Sequence, residues 1–432
     1  MTVRKDWDVI VVGAGPAGCS AAIVLAELGR DVLVLERERF PRYHIGESLI
    51  PFTCEPLRRL GLIDAMRKSS FVKKHSVQFV SASGRQSEPF YFASRYDEEI
   101  AQTWQVLRSE FDLMLMNHAR GRGATIAEET SVTRFVEENG AVVGVEGVNK
   151  DGEPFEYLAP MTLDCTGRNA VAALQNRWRV PDAKLNKVAV WTYYRGAGRD
   201  EGLDAGATTA AFVPHKGWFW YIPLHDGLTS VGVVADGKYL SRGGVRDPKE
   251  MFEREIGRNK WIESRLAEGT QEGEYFLTHE FSYHSRYCSS NGLLLVGDAY
   301  CFLDPIFSSG LMFALKSGVL AGDATHAALN DGDFSSRRFE SYGRDLRRGI
   351  ENFRTLIYAF YDPDFSFGEL IRKYPEVKDD ITDCLSGDID KDFSRLHAAI
   401  ADFVKIPEAM TLGRPFVGDE VEAEPVSAAS ES

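Results

Sequence analysis

The segment Gly13-Ala14-Gly15-Pro16-Ala17-Gly18 constrains this chain more than any other. It follows a run with the character of a buried strand, 7–12 (WDVIVV), and opens a helical stretch over 16–29. A second apolar run, 31–36 (DVLVLE), completes a strand–helix–strand unit. Alone, a GxGxxG is a weak signal; in this setting it reads as a phosphate cradle. Gly13 makes the tight turn, Gly15 lets the backbone approach a diphosphate, and Gly18 lets helix and strand pack closely. The helix start at Pro16 and Ala17 offers free N–H groups and a positive dipole end. Glu36 closes the second strand, where an acidic side chain accepts hydrogen bonds from an adenosine ribose. The expected fold class is α/β, built on a doubly wound parallel sheet.

The same motif removes a competing reading. Residues 9–26 are almost wholly apolar and follow Arg4 and Lys5, as in an export signal or a short membrane span. Three glycines and Pro16 interrupt the run and Asp8 precedes it, which nucleotide binding explains and export does not. No other apolar run is long enough to cross a bilayer. The formal net charge of −14 argues against a nucleic-acid partner. Cys19, Cys54, Cys165, Cys288, Cys301 and Cys384 show no CxxC spacing, and the nine histidines show no paired-ligand spacing. Free thiols in a reducing cytoplasm and no metal centre are therefore expected.

Further along, 108–120 has helical periodicity, and 123–126, 131–148 and 161–165 read as strands, with turns at Asn139-Gly140 and Asp151-Gly152. From 186 to 284, short alternating runs such as VAVWTYYRG and WFWYIPL predict an antiparallel sheet. Strand character returns at 293–296, a long helix follows over 310–328, and 335–412 reads mainly as helices. The expected division is a discontinuous nucleotide domain (1–80, 105–185, 285–345), a substrate domain (81–104, 186–284), a helical region (346–417) and an acidic, disordered tail (418–432).

Distant segments decide between FAD and NAD. Leu295-Val296-Gly297-Asp298-Ala299 resembles the GD motif of glutathione-reductase-type FAD folds, with Gly297 and Asp298 at the ribityl and pyrophosphate part of the cofactor. Arg108 resembles the arginine opening the helix that closes over FAD. Asp164 to Gly167 (DCTG) resembles the strand-end segment near the adenine. Read as residues alone, Asp164 also fits a structural cap and Arg108 a surface charge.

Lys216 to Pro223 contains WxWxIP, and tryptophans two apart on a strand share a face. Core packing is the ordinary reading of such a strand. Set between the FAD segments, it resembles the signature of the flavin-dependent halogenases. Phe40 to Pro51 (FPRYHIGESLIP) resembles that family's loop along the flavin, which together with Arg37 assigns Gly46, Glu47 and Ser48 to the cofactor. Asp298 to Gly310 resembles its FAD and halide segment, with Pro305 and Gly310 at the flavin and Ser309 and Gly310 at the halide. Phe71 to Phe79 resembles the stretch around the essential lysine, best aligned on Lys74. Ser76 departs from the family's usual glycine, which leaves Lys73 as a competitor and a solvated charge as the alternative for either.

The resemblance spans about 5–350. It implies that reduced FAD, dioxygen and a halide yield hypohalous acid, which a lysine directs at an electron-rich phenolic or pyrrolic ring, free or carrier-bound. Trp218 and Trp220 would line the passage, and a separate flavin reductase would supply the reduced cofactor. Related FAD segments occur in single-component aromatic hydroxylases and in geranylgeranyl-type reductases, so hydroxylation and reduction remain alternatives.

Overall fold

Every residue of Val9–Val12 and Val32–Leu35 is buried, as strands covered by helices on both faces require. In the computed structural model, which describes residues 7–215, 217–279, 282–406, 408–410 and 413–417, these strands head a seven-stranded sheet. Thr125–Ala127, Val32–Leu35, Val9–Val12, Met161–Asp164 and Leu293–Leu295 run parallel in that order; Tyr287–Ser290 pairs antiparallel on Leu293–Leu295, and Arg414–Pro415 joins the far edge. Helix Pro16–Glu27 packs on helix Gly310–Asp331 at glycine-width separation: a Cβ on Gly318 would stand 2.3 Å from the Ala17 carbonyl oxygen. This is a Rossmann-type arrangement.

The second seven-stranded sheet runs Thr270–His279, Lys187–Arg195, Leu228–Asp236, Gly217–Pro223, Thr208–Val213, Ser76–Val80, Phe90–Tyr91. It is antiparallel except where Thr208–Val213 meets Ser76–Val80. The expected boundary at residue 80 thus cuts the wrong side of a strand: 76–80 pairs into the substrate-side sheet, because Val77, Phe79 and their neighbours find their ladder there and not in the nucleotide sheet. A small antiparallel sheet, Ser131–Glu138, Ala141–Val148 and Pro154–Leu158, hangs beside the first. Its first turn is Asn139-Gly140, both at positive φ, as a two-residue hairpin requires.

The C-terminal region is helical as expected, led by Glu340–Tyr361 with Phe367–Lys373, Lys378–Ser386 and Ser394–Ala401. Asp383 ties this cap to the substrate-side sheet. It accepts two hydrogen bonds from Arg95, each 2.9 Å, and one from Tyr96 at 2.6 Å. Residues 418–432, expected to be disordered, lie outside the described residues. Among those described, no helix is long and apolar enough to cross a membrane, and no group of three potential metal ligands occurs.

Candidate functional site

Parallel register brings four strand ends together. Val12 aligns with Leu35 and Asp164, and Asp164 with Leu295. The residues just beyond these ends wall a cleft of about 550 Å³ that runs from Gly13 and Glu36 to Ser309 and Gly310. At its first end the chain turns at Gly13, with φ +105; a Cβ there would lie 2.4 Å from the Cys165 carbonyl oxygen, and one on Gly18 would lie 1.9 Å from the Gly13 carbonyl oxygen. Gly18 therefore sits under the cleft, holding helix to strand. Gly15 differs. Its φ of −70 suits any residue, and a Cβ would meet only Arg42 Nη2, at 3.6 Å. The protein itself leaves space at Gly15, which is what a cradle for an incoming diphosphate needs.

Glu36 Oε2 accepts from Ala14 N at 2.8 Å and Oε1 from Glu38 N at 2.9 Å, so the carboxylate is fixed at the cleft wall with lone pairs to offer. Arg37 and Gly167 line the same end, with Pro16 and Ala17 at the helix mouth. Asp164 does not line the cleft. Its Oδ1 accepts from Thr166 N (3.0 Å) and Thr166 Oγ1 (2.6 Å), and its Oδ2 from Ala172 N (2.8 Å). It braces the turn that carries Thr166 and Gly167, the cap reading of this residue. Gly297 lies beneath the cleft too: its N donates to Ser317 Oγ at 3.0 Å and its Cα faces Ala17. Asp298 next to it faces the cleft, its carboxyl pushed up to about 6 by burial against the pull of Arg168 and Arg108.

Arg108 is buried, not a surface charge. It holds Asp112 through two bonds, 2.8 and 3.0 Å, and donates to the carbonyl oxygens of Ile45 (2.7 Å) and Gly46 (3.2 Å). The loop carrying Gly46, Glu47 and Ser48 is thereby clamped along the cleft.

At the far end Trp218 and Trp220 line the wall, their ring centroids 6.2 Å apart, with Trp191 a further 6.2 Å from Trp220. Trp220 lies over Gly232, where a Cβ would stand 2.2 Å from its ring. Trp218 Nε1 donates to Tyr361 Oη at 2.9 Å, and Tyr361 donates to Asp304 Oδ2 at 2.9 Å. Asp304 also accepts from Ile306 N at 3.0 Å and so shapes the turn leading to Pro305, Ser309 and Gly310. Burial pushes the Asp304 carboxyl up to about 6. Tyr361 closes the first helix of the C-terminal cap, a region whose sequence carries no recognisable motif. Ser308, in the left-handed region at φ +55, turns the chain so that Ser309 takes the N-cap position of Gly310–Asp331 without a side-chain capping bond, and Ser309 and Gly310 line the cleft end. A Cβ on Gly310 would meet nothing within 4 Å.

Lys73 and Lys74 separate cleanly. They are neighbours on Val72–Lys74, so their side chains point oppositely; Lys73 is exposed and Lys74 is 1% exposed. Lys74 Nζ donates to Ser48 Oγ at 2.9 Å and to the Leu49 carbonyl oxygen at 3.0 Å, and lies 5.8 Å from the Phe92 ring centre. Lys74 does not line the cleft; Ser48 does, so its hydroxyl is the partition between the two. Among the described residues no carboxylate is bonded to this amine, and burial pushes its pKa down to about 7. A neutral amine giving both hydrogens to Ser48 and Leu49 keeps a lone pair for an electrophile.

The sign of the linked stability follows. An unfolded lysine titrates near ~10.4, so between about 7 and ~10 the unfolded chain holds a proton that the folded chain lacks, and folding stability rises with pH by about 1.4 kcal/mol per unit across that window. Urea unfolding of the cofactor-free protein should therefore give a Lys74→Met stability that loses ground to the native protein at about that rate as pH rises through the window. A pH-independent difference between the two proteins contradicts a neutral buried amine.

The profile described as tryptophan halogenase matches residues 8–98 and 87–367. A 1H-pyrrole-2-carbonyl–peptidyl-carrier-protein chlorinase of Pseudomonas fluorescens is 28% identical over 407 residues, covering 89% of this chain and 90% of its own. The corresponding brominase of Pseudoalteromonas luteoviolacea is 30% identical over 391 residues, covering 90% and 93%. Among solved structures, the flavin-dependent brominase Bmp2 is similar with a TM-score of 0.83 at 27% identity, covering 92% of this chain and 98% of that one.

Proposed function

This chain belongs to the tryptophan-halogenase family of flavin-dependent enzymes, and from that premise we propose that it halogenates a pyrrole or similarly electron-rich ring tethered to a carrier protein, with Lys74 delivering the halogen. FAD is its cofactor, and bound FAD supplies the two-electron chemistry by which dioxygen converts halide to hypohalous acid. The space at Gly15 and the clamped loop at Arg108 fit the diphosphate and the ring system of that cofactor.

The observation that carries the reading is the buried, carboxylate-free Lys74 behind Ser48. Hypohalous acid reaching Nζ exchanges its halogen for an amine proton: an N–X bond forms and water leaves. The ring's carbon then takes the halogen and the amine regains the ring's proton. Ser309 and Gly310 hold the halide with N–H groups at a helix mouth, Trp218 and Trp220 keep the ring from contact with the flavin, and Asp304 with Tyr361 fixes Trp218. The pyrrole-carrier relatives, aligned over about nine-tenths of both chains, support a carrier-tethered substrate. A separate reductase, in the cytoplasm, supplies reduced FAD.

The test supplies reduced FAD, dioxygen and bromide to the protein and reads phenol, pyrrole and indole probes, free and carrier-loaded, by mass spectrometry. Bromination favouring the carrier-loaded pyrrole is expected. Oxidation of NAD(P)H by the protein alone with oxygen insertion into the probe overturns the reading.

A further inference from the structure

One buried acid faces the cleft without a role in the scheme above. Glu47 is 1% exposed and lines the cleft between Gly46 and Ser48. Its Oε1 accepts from Tyr193 Oη at 2.7 Å; Oε2 is buried and, among the described residues, makes no hydrogen bond of good geometry, the Ser230 hydroxyl being the other group close to the carboxyl. Tyr193 Oη lies 3.3 Å from Tyr43 Oη, and Tyr43 Oη accepts from Trp191 Nε1 at 2.5 Å. Tyr43 is 46% exposed. Its ring stacks on Phe276, with centroids 4.5 Å apart and planes 13° apart, and Phe276 stacks on Trp191. The outer end of the chain of hydroxyls therefore belongs to a half-exposed residue, and the inner end is a buried carboxyl of a residue in the cleft wall.

We propose that Tyr43, Tyr193 and Glu47 form a proton relay that carries a proton from solvent to the flavin end of the cleft. The inference rests on the halogenase reading, whose balance asks for such a path. One reduced FAD (counted with both its hydrogens), one dioxygen, one halide, one aromatic C–H and one external proton become FAD, one C–X bond and two waters. Hydroxylation by the same reductant and oxidant takes up no external proton. Trp218, Trp220 and Trp191 make the wall at that end of the cleft largely apolar, so a chain of hydrogen-bonded groups offers the proton a route through it.

Each step balances. With Glu47 ionised, Tyr193 gives its one hydrogen to Oε1 at 2.7 Å, and the relay requires the Tyr43 hydroxyl to turn its hydrogen onto Tyr193 Oη, in place of the longer 3.3 Å contact in which Tyr193 is the donor. A proton from water reaches Tyr43 as the Tyr43 hydrogen moves to Tyr193 and the Tyr193 hydrogen moves to Oε1. A half-turn of the carboxyl then carries that hydrogen to the Oε2 side of this cleft-wall residue. The surroundings hold the acid where it can both accept and release. Burial raises the Glu47 carboxyl to about 7, against the pull of the Ser230 hydroxyl, the Tyr193 hydroxyl and the more distant Arg108. Ser230 reaches it from strand Leu228–Asp236, Tyr193 from Lys187–Arg195 and Arg108 from the helix it opens, with Tyr43 on the same loop as Glu47. Trp220 Nε1, which donates to Ser230 Oγ at 3.1 Å, completes the shell without adding a charge.

The test uses FAD-loaded protein and two variants that touch neither the diphosphate cradle nor Lys74: Tyr193→Phe and Tyr43→Phe. In an alkaline-to-neutral pH jump followed by infrared absorption of the Glu47 carboxyl, assigned with Glu47→Gln, both variants should protonate at least ~10-fold more slowly than native protein. FAD affinity should stay within ~2-fold, because neither hydroxyl lines the cleft. Single-turnover bromination of a pyrrole probe should fall ~10-fold on the alkaline side and recover toward native at acid pH, with a larger solvent deuterium effect in native protein than in either variant. Native rates of carboxyl protonation in both variants overturn the relay, whether or not the protein brominates. Absence of bromination by native protein overturns the halogenase reading instead, while the pH jump still decides the relay.

Discussion

Lys74→Ala should lose halogenation of any probe by at least ~1,000-fold while keeping FAD affinity within ~3-fold. The two halves of that expectation come from one placement. Nζ is bonded to Ser48 Oγ and the Leu49 carbonyl, on the side of Ser48 away from the cleft, so its removal leaves the cofactor's walls intact. What is lost is the buried amine to which the proposal assigns the electrophilic halogen. Lys74→Met, which keeps most of the volume, separates chemistry from packing: it should be as inactive as Lys74→Ala and more stable, because it fills the site without an amine to desolvate. Lys73→Ala, which removes an exposed charge on the opposite face of the same strand, should leave folding stability within about 0.5 kcal/mol and retain halogenation. Equal losses in the two lysine variants would show that the strand, not the amine, matters.

Gly15→Val should abolish FAD uptake and leave the fold standing. Most glycine substitutions in such a turn do both at once: on Gly13 and Gly18 a Cβ would collide with backbone oxygens at 2.4 and 1.9 Å. At Gly15 the backbone angle is ordinary and only the tip of Arg42 is near, so the cost to the cofactor-free protein should stay within about 1 kcal/mol, the loss expected for a poor helix-capping residue. The valine branches instead fill the space where a diphosphate meets the helix mouth. Losing two charge-assisted hydrogen bonds there costs about 3 kcal/mol or more, which weakens FAD binding by roughly 100-fold or beyond. Flavin fluorescence titration and a thermal melt of the cofactor-free variant read the two effects separately. An undiminished affinity would mean that the diphosphate lies elsewhere.

The parts of this site that could be read from sequence are those made by neighbouring residues. The cradle 13–18, Glu36 one strand later and Asp298 after its strand are contiguous motifs, and their strand ends meet because a parallel sheet aligns them. Two errors of role arose within such motifs. Asp164 has the spelling of a cofactor segment, but its carboxylate closes on Thr166 and Ala172, and Gly297 serves packing beneath the cleft. Spelling does not say which way a side chain faces. The choice between Lys73 and Lys74 was open for the same reason and turns on strand alternation, which no single residue reveals. The contacts with no sequence signature are those that span long separations. Tyr361 reaches Trp218 across 143 residues and Tyr193 reaches Glu47 across 146. Such pairs arise from sheet register and from a helical cap folding back, and nothing local encodes them. The domain boundary near residue 80 failed likewise, since Ser76–Val80 has the same apolar alternation in either sheet and only pairing assigns it.

The central claim is that oxidant forms in the cleft and passes to the ring through Lys74. One measurement reads both stages: single-turnover reactions of native protein and Lys74→Ala, each with reduced FAD, dioxygen and bromide, split between a small hypobromous-acid trap and a pyrrole probe. Equal trapped oxidant from the two proteins, with brominated pyrrole from native protein alone, is the predicted result. A Lys74→Ala protein that brominates pyrrole at the native rate, or that yields no trapped oxidant, would contradict it.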